Sequence, residues 1–380
     1  MDHIIVKYGE IALKGKNKPF FEKQLMDNII HALKGLEYNS VKKLYGRVII
    51  KLNEKSDFEK LSEKLKKVLG IVHFSPASIV DLDIEKIKQK SLEFIEKDAK
   101  TFHVKSRRSN KSFPLQSPDI NREVGKFIEE KTNLEVNFEK SDFTIFIEIT
   151  EKGAFIYNKK FDGLGGLPVG VTGKVISLIS GGIDSPVASF QIMKRGCEVI
   201  FVHFHNLTTA KAIVKDKVKR LIEILSQFQP KTKLYLIPFG DIQKELVKTI
   251  DPRCRMIVYR RAMFKIAEKI LIKENAKAFV TGDSLAQVAS QTLENIQVIQ
   301  EAANYPVLSP LIGSDKEEII ELSEKIGTYE TSILPYSDCC SMFIAEHPET
   351  RSKLENVKKQ ESDITKLVDK VVKEAEIINF

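Results

Sequence analysis

The sequence predicts a multidomain protein in which α+β units precede a doubly wound α/β unit. Three observations carry this expectation. The 380 residues exceed what one ordinary core accommodates. Up to about residue 165, helical and strand patterns alternate with mixed pairing. After residue 174, short β-branched runs are each separated by a helical stretch, which is the grammar of a parallel sheet.

The first stretch, residues 1–75, opens with HIIVKYG as a strand and PFFEKQLMDNIIHALK as an amphipathic helix. SVKKLYGRVIIKL then reads as two strands, DFEKLSEKLKKVLG as a second helix and IVHFSPAS as a further strand. That order suggests a small ferredoxin-like α+β unit. Residues 76–165 repeat the alternation: DIEKIKQKSLEFIEKDA (helix), TFHVKSRR (strand), DINREVGKFIEEKT (helix), then VNFEKSDFTIFIEITEKGAFIYNKKF as paired strands. GLGGLPVGVTG at 163–173 holds five glycines and a proline and reads as a linker or hinge. In the third stretch, 166–380, KVISLIS, EVIFVHF, KLYLIPF and KAFVTGD are the expected strands. A parallel sheet of this kind binds ligands at the carboxyl ends of its strands. Apolar residues at Ile364, Leu367, Val368, Val371, Val372 and Ala375 predict one packing face of a terminal helix.

With 42% apolar and 29% charged residues, the chain is globular rather than disordered. Its net charge of +8 favours an anionic partner. No segment reaches the roughly 18 apolar residues that span a bilayer, and MDHIIVKYGE does not read as a secretory signal. Four cysteines exclude a disulfide scaffold and suit the reducing cytoplasm.

The chemistry concentrates at LISGGIDSPV, residues 178–187, between the first strand of the third stretch and its helix. Ser180, Gly181, Gly182 and Ser185 can offer N–H and hydroxyl groups to phosphate at a helix N-terminus. The glycines let backbone approach a ligand closely, and Pro186 suits a first helical turn. Asp184 is out of place beside phosphates unless a cation such as Mg²⁺ stands between them. The Walker pattern is absent, and GLGGLP does not complete a dinucleotide fingerprint. A plain glycine turn with a capping side chain is the alternative.

SGGIDSP resembles the signature of the PP-loop ATP pyrophosphatases, which cleave ATP between the α- and β-phosphates. GEIALKGKNKPFFEK, GLGGLPVGVTGK, GDSLAQVASQTLEN and PLIGSDKEEII, at 9–23, 163–174, 282–295 and 310–320, are similar to segments of the tRNA 4-thiouridine synthetases, the ThiI family. The likeness covers essentially the whole chain. It implies a ferredoxin-like domain (1–75), a THUMP RNA-binding domain (76–165) and a PP-loop domain (166–380). The implied activity adenylates O4 of the uridine at position eight of tRNA and replaces that oxygen with sulfur. A carbonyl oxygen is a poor leaving group, and an adenylate is a good one. By resemblance Leu178, Ile179, His203 and Phe204 flank adenine and ribose, and Arg260 or Arg261 meets phosphate. Gly282 and Gln291 complete the nucleotide contacts, and Lys316 stands near the reaction centre.

The resemblance also places the catalytic cysteine within LPYSDCCSMF, residues 334–343: Cys340 is favoured, Cys339 second. A partly exposed thiolate there would carry or resolve a persulfide. The chain matches the short form of the family, without a rhodanese domain, so sulfur is expected from a separate donor such as a cysteine desulfurase. Delivery to a sulfur-carrier protein for thiamine thiazole synthesis is a further role attributed to relatives. An iron–sulfur cluster on Cys254, Cys339 and Cys340 is disfavoured, because Ile257 stands where a C-x-x-C would have its second cysteine. Cys197 reads as a buried small hydrophobe. Lys14, Lys16 and Lys18, and Lys105, Arg107, Arg108 and Lys111, form two basic runs. In this family such runs would track the phosphates of the tRNA acceptor end, reading shape more than bases. A homodimer is expected, because tRNA spans separated domains. The competing readings are a PP-loop enzyme acting on a small molecule or carrier protein, and an RNA-binding module without turnover.

Overall fold

Between Gly166 and Leu167, inside the glycine-rich stretch, the structure separates into two units, Met1–Gly166 and Leu167–Phe380. It is a computed structural model that describes residues 1–206, 213–335 and 345–380.

The first unit runs β1 (His3–Tyr8), α1 (Lys18–Ala32), β2 (Ser40–Leu44), β3 (Arg47–Lys51), α2 (Phe58–Leu65) and β4 (Ile71–Val80). It continues through α3 (Ile84–Ser91), β5 (Thr101–Arg108), α4 (Ser117–Lys131), β6 (Glu135–Val136), β7 (Phe143–Thr150), β8 (Gly153–Tyr157) and β9 (Phe161–Asp162). The helices start where the sequence supplies caps. Asp57 accepts from the N–H groups of Glu59 and Lys60, and Asp83 from those of Glu85 and Lys86.

All of these strands join one nine-stranded sheet, with path β2-β3-β1-β4-β8-β7-β5-β6 and β9 beside β4. The boundary expected at residue 75 falls inside β4. That strand pairs β1 through residues 71–77 and β8 through Ser78–Val80. Two apolar cores nevertheless remain distinct, one under α1 and α2 around Ile4, Leu25, Val48 and Leu61, the other under α3 and α4 around Phe102, Ile120, Ile145 and Ile156.

The opposite sheet face carries its own cluster, Ile5, Ile49, Ala77, Phe155 and Tyr157. Across it Glu148 of β7 pairs with Arg47 of β3 and, at 2.6 Å, with Lys7 of β1. Four strand spacings separate β3 from β7, about 19 Å in a flat sheet. Direct contact therefore requires this sheet to curl, with Glu148 at the bottom of the concave side.

The second unit contains β10 (Gly173–Leu178), α5 (Asp184–Lys194), β11 (Cys197–His205), α6 (Ile213–Ser226), β12 (Lys233–Pro238), α7 (Gly240–Leu246) and α8 (Arg255–Glu274). It ends with β13 (Phe279–Val280), α9 (Leu293–Gln300), β14 (Val307–Leu308), α10 (Lys316–Lys325), α11 (Tyr329–Ser332), α12 (Leu354–Gln360), α13 (Thr365–Lys373) and β15 (Glu376–Asn379). The sheet order is β14-β13-β10-β11-β12-β15. The first five strands in that order pair in parallel, as expected from the alternation.

One expectation is corrected at the end of the chain. The terminal helix stops at Lys373, so Ala375 lies beyond it, and β15 adds an antiparallel edge to β12 with Leu234 opposite Ile378. Four residues are too few for strand periodicity to show against a preceding helical pattern.

Candidate nucleotide site

The sheet order fixes where a ligand belongs. From β10 the chain builds outward to β11 and β12, then crosses back to add β13 on the other flank. That reversal opens a crevice at the carboxyl ends of β10 and β13, the general ligand position of such sheets. SGGIDSP follows β10 and Thr281-Gly282-Asp283 follows β13. Both sequence motifs meet at this crevice.

A cavity of about 250 Å³ lies there. Of the residues expected to hold nucleotide, it is lined by Leu178, Ile179, Ser180, Asp184, Ser185, His203, Phe204, Arg260, Gly282 and Gln291. Met256, Met263, Thr281, Asp283 and Ser290 also line it. Met256 and Met263 lie on the same face of α8 as Arg260, one turn before it and one turn after it along the 3.6-residue period. Asp283 was legible only as part of GDSLAQVASQTLEN.

Gly181 and Gly182 belong to the loop after β10 but do not line the cavity, and the loop is braced from within. Ser180 donates its N–H to Ser185 Oγ at 2.9 Å, the two hydroxyls are 3.0 Å apart, and Gly182 N–H reaches Ser180 Oγ at 3.3 Å. The serines thus hold the loop's shape, and α5 begins immediately after it, presenting its N-terminal dipole. The more demanding glycine is Gly282. A Cβ there would lie 2.7 Å from Ser185 N and 2.9 Å from Asp184 C, against backbone that cannot rotate away. Gly182 would meet nothing closer than 3.6 Å.

His203, almost fully buried, sets its Nδ1 2.8 Å from the Ile179 carbonyl and so ties the ends of β10 and β11 together. Asp184, first residue of α5, pairs through Oδ1 with Lys316 Nζ at 2.6 Å. Its Oδ2 accepts from Gln287 Nε2 at 2.9 Å. Lys316 opens α10, where Asp315 caps the helix by accepting from Glu318 N–H. The ion pair joins residues 132 apart in sequence.

The two adjacent arginines separate. Arg260 reaches the cavity and donates to Asp283 Oδ2 at 2.7 Å. Arg261, one residue further round the helix, is buried elsewhere, on Glu361, Glu301 at 3.0 Å and the Val298 carbonyl. It does not line the cavity. Asp283 accepts also from Thr281 Oγ1 at 2.8 Å and from Gln291 Nε2 at 3.2 Å. Burial pushes its carboxyl upward, yet the Arg260 charge and these donors hold it below the ordinary carboxylate value.

Cys339 and Cys340 lie outside the described residues. Cys254 is half-buried at the start of α8, its thiol pushed up chiefly by burial. Ile257 is buried one turn on. Among the described residues no three His, Cys, Asp or Glu side chains are grouped to hold a metal ion. No helix among them is long and apolar enough to cross a membrane.

The basic runs sort by strand alternation. On β5, Lys105 and Arg107 are exposed on the face opposite Phe102 and Val104. Arg108 points the other way and donates to the carbonyls of Phe113 at 2.8 Å and Leu115 at 2.6 Å, closing the turn that exposes Lys111. Lys160 stands over the Phe146 ring at 3.5 Å, its pKa lowered first by burial and then by Lys105 and Arg107. Sequence runs could not reveal Lys160 as a neighbour of β5. In the other run Lys16 is exposed, while Lys14 packs over Phe21 and Lys18 over Tyr45.

Comparisons with known proteins agree with this arrangement. Residues 3–75 match the ThiI ferredoxin-like domain, 82–159 the THUMP domain, and 170–366 the family described as thiamine biosynthesis protein (ThiI). A "Probable tRNA sulfurtransferase" of Thermoanaerobacter sp. (strain X514) is 43% identical over 97% of both chains. One of Staphylococcus epidermidis is 40% identical over 100% of this chain and 94% of its own. Among solved structures, a 4-thiouridine synthetase–RNA complex with bound ATP superposes over 100% of both chains with a TM-score of 0.91 and 36% identity. PH1313 from Pyrococcus horikoshii covers 86% of this chain with a TM-score of 0.68 and 30% identity. With its three domain types in order and full-length relatives on either side of this identity, the chain belongs to the ThiI family.

Proposed function

We propose that this chain is an ATP-dependent tRNA sulfurtransferase of the cytoplasm that converts the uridine at position eight to 4-thiouridine. The observation that carries the reading is the cavity at the β10/β13 crevice, where the braced glycine loop, Gly282, Arg260 and the Asp184–Lys316 pair converge. The names of the full-length relatives and the RNA and ATP of the superposed complex support the same substrates.

In this reading the loop and the start of α5 receive the polyphosphate, and Arg260 neutralises phosphate charge. Leu178, Ile179, His203 and Phe204 border adenosine. Mg²⁺ fits beside Asp184, a hard oxygen donor next to the phosphate loop, and would neutralise the pyrophosphate. Uracil O4 attacks the α-phosphorus and pyrophosphate leaves. Lys316 Nζ, now held by Asp184, stabilises the charge that develops there. A sulfur nucleophile then attacks C4, and AMP leaves with the original oxygen. That sulfur is hydrosulfide, or the outer sulfur of a persulfide on Cys340, with Cys339 as the second candidate, loaded by a cysteine desulfurase; in the persulfide case a second thiol cleaves the resulting Cys–S–S–C4 bond, releasing 4-thiouridine and ending in a disulfide that an external dithiol reduces.

Lys105, Arg107, Lys111 and Lys16 are exposed cations suited to the acceptor-end phosphates. A reading in which the enzyme serves only a sulfur-carrier protein for thiazole synthesis leaves this basic surface without a role. A homodimer would let one copy hold tRNA while the other thiolates it.

The test is incubation with Mg-ATP, a hydrosulfide or desulfurase source and unmodified tRNA. Thiolated uridine, seen by near-ultraviolet absorbance and placed at position eight by mass mapping, is expected. Pyrophosphate release that depends on a carrier protein and ignores tRNA would replace this reading with the second.

A further inference from the structure

At the edge of the nucleotide cavity, Asp184 holds two side chains that the cavity itself does not use. Oδ1 pairs with Lys316 Nζ at 2.6 Å, and Oδ2 accepts from Gln287 Nε2 at 2.9 Å. Asp184 lines the cavity, whereas Lys316 and Gln287 do not, and both of these are exposed. The backbone is strained where it brings Gln287 here. Ala286 sits at φ +61°, a left-handed conformation that residues with a Cβ rarely adopt. Hydrogen bonds on either side impose it: Ala286 N–H donates to the Gln291 carbonyl at 2.9 Å, and Leu285 N–H to that of Ile312 at 3.2 Å. Strain fixed in this way gathers at functional sites.

The carboxylate also decides which way the amide faces. A carboxylate paired with a lysine only accepts, so Gln287 must present Nε2 to it and turn Oε1 away. Among the described residues Oε1 has no hydrogen-bond partner, and because Gln287 is exposed a substrate can reach it. Lys316 Nζ spends one N–H on Asp184 and keeps two. One carboxylate thus sets a donor and an acceptor side by side, outside the space reserved for nucleotide. Uracil carries the complement on neighbouring atoms, since O4 accepts and N3–H donates. Cytosine carries the reverse, an amine at C4 and a bare N3, and meets both groups with the wrong sign. Leu285, Val288 and Ile312 are exposed apolar side chains of the same loop and its neighbour, suited to the faces of a pyrimidine ring.

We propose that Gln287 is a specificity-determining residue whose Oε1 accepts from N3–H of the target uracil while Lys316 Nζ donates to O4. This rests on the reading of the chain as a uridine-thiolating enzyme, and it adds what selects the base at the reaction centre.

The experiment measures pyrophosphate release by the full-length protein with Mg-ATP and a tRNA carrying uridine or 3-deazauridine at position eight. The analogue keeps O4 and the ring shape but has C–H in place of N3–H. Gln287→Met has similar reach and cannot accept from N3–H through an amide oxygen. On the uridine tRNA its kcat should fall about tenfold, the scale of one hydrogen bond. On the 3-deazauridine tRNA kcat should hardly change, so the ratio of the two falls by the same factor. KM for ATP and for tRNA should stay at the wild-type values. Gln287→Ala, which shortens the side chain, should give the same change in ratio. A Gln287 that merely steadies Asp184 would slow both tRNAs alike and leave the ratio intact, and that result overturns the proposal. Unchanged rates on both tRNAs overturn it equally. A wild type that releases no pyrophosphate with the uridine tRNA removes the thiolation reading itself, whereas normal turnover with a ratio indifferent to Gln287 removes only this proposal.

Discussion

Glu148 and Asp283 are both buried carboxylates that face an arginine, yet they sit in opposite settings. Glu148 lies on the concave sheet face of the first unit, where Lys7, Arg47 and the Tyr157 hydroxyl at 2.8 Å surround it. Its partners come from β1, β3 and β8, and an apolar cluster surrounds them. Asp283 has three donors too, but two of the side chains it holds, Arg260 and Gln291, line a cavity. The difference teaches how to separate a structural ion cluster from a functional one. Burial and a depressed carboxyl are common to both. What distinguishes them is whether the partners have surface left to offer a ligand.

The largest expected effect tests the structural half of that contrast. Glu148→Ala leaves two cations without their carboxylate in a buried place, and should cost about 3–5 kcal/mol of stability in denaturant unfolding. Asp283→Asn keeps its shape and should cost clearly less. Equal losses would erase the distinction. The pH dependence sharpens it. Burial pushes the Glu148 carboxyl up, and Lys7 and Arg47 more than reverse this, so its pKa ends lowered. A carboxyl lowered on folding contributes stability that is present above its unfolded pKa, about 4.3. That stability is lost as pH falls through the folded value. Glu148→Gln should therefore flatten the acid limb of a stability–pH curve below about pH 4, with little change in its slope above pH 6.

Next comes Gly282→Ala, which tests the cavity half. A methyl group 2.7 Å from Ser185 N must push β13's end away from α5. ATP-dependent pyrophosphate release should fall by roughly 100-fold, since displacement of about 1 Å can cost that much. Circular dichroism should stay native. Retained activity would mean that the crevice is not where ATP reacts.

The smallest effect belongs to the exposed cations. Lys105→Ala with Arg107→Ala should weaken tRNA binding about tenfold at low salt and reduce the salt slope by about two. ATP affinity should be unchanged. A loss that depends on tRNA sequence rather than salt would point to base contacts instead.

Much of the second unit was legible because its cues are local. Four β-branched runs separated by helical stretches pointed to the parallel sheet, and SGGIDSP announced its position by following the first of them. The arginines resisted the same treatment, since Arg260 and Arg261 differ only by 100° around a helix. Their roles depend on Asp283 and on Glu361, the latter 100 residues away. The serines expected beside phosphate line the cavity and also brace each other, a pairing that only loop geometry makes. In the first unit, helix caps and apolar stripes were readable. The curl was not, because it rests on Arg47 and Glu148, 101 residues apart in sequence. Sequence pattern reports which face a residue occupies, and pairings at such distance need the sheet order.

The burial of Arg261 gives the end of the chain a stake in the nucleotide site. Glu361 holds Arg261 and Lys265 of α8 from behind, and Lys358 holds Glu301 at the end of α9. Arg260, on the front of the same helix turn, faces the cavity. Helix α8 is thus a wall with a buttress, and Lys358 and Glu361, far along the chain from Arg260, steady the cavity wall from behind.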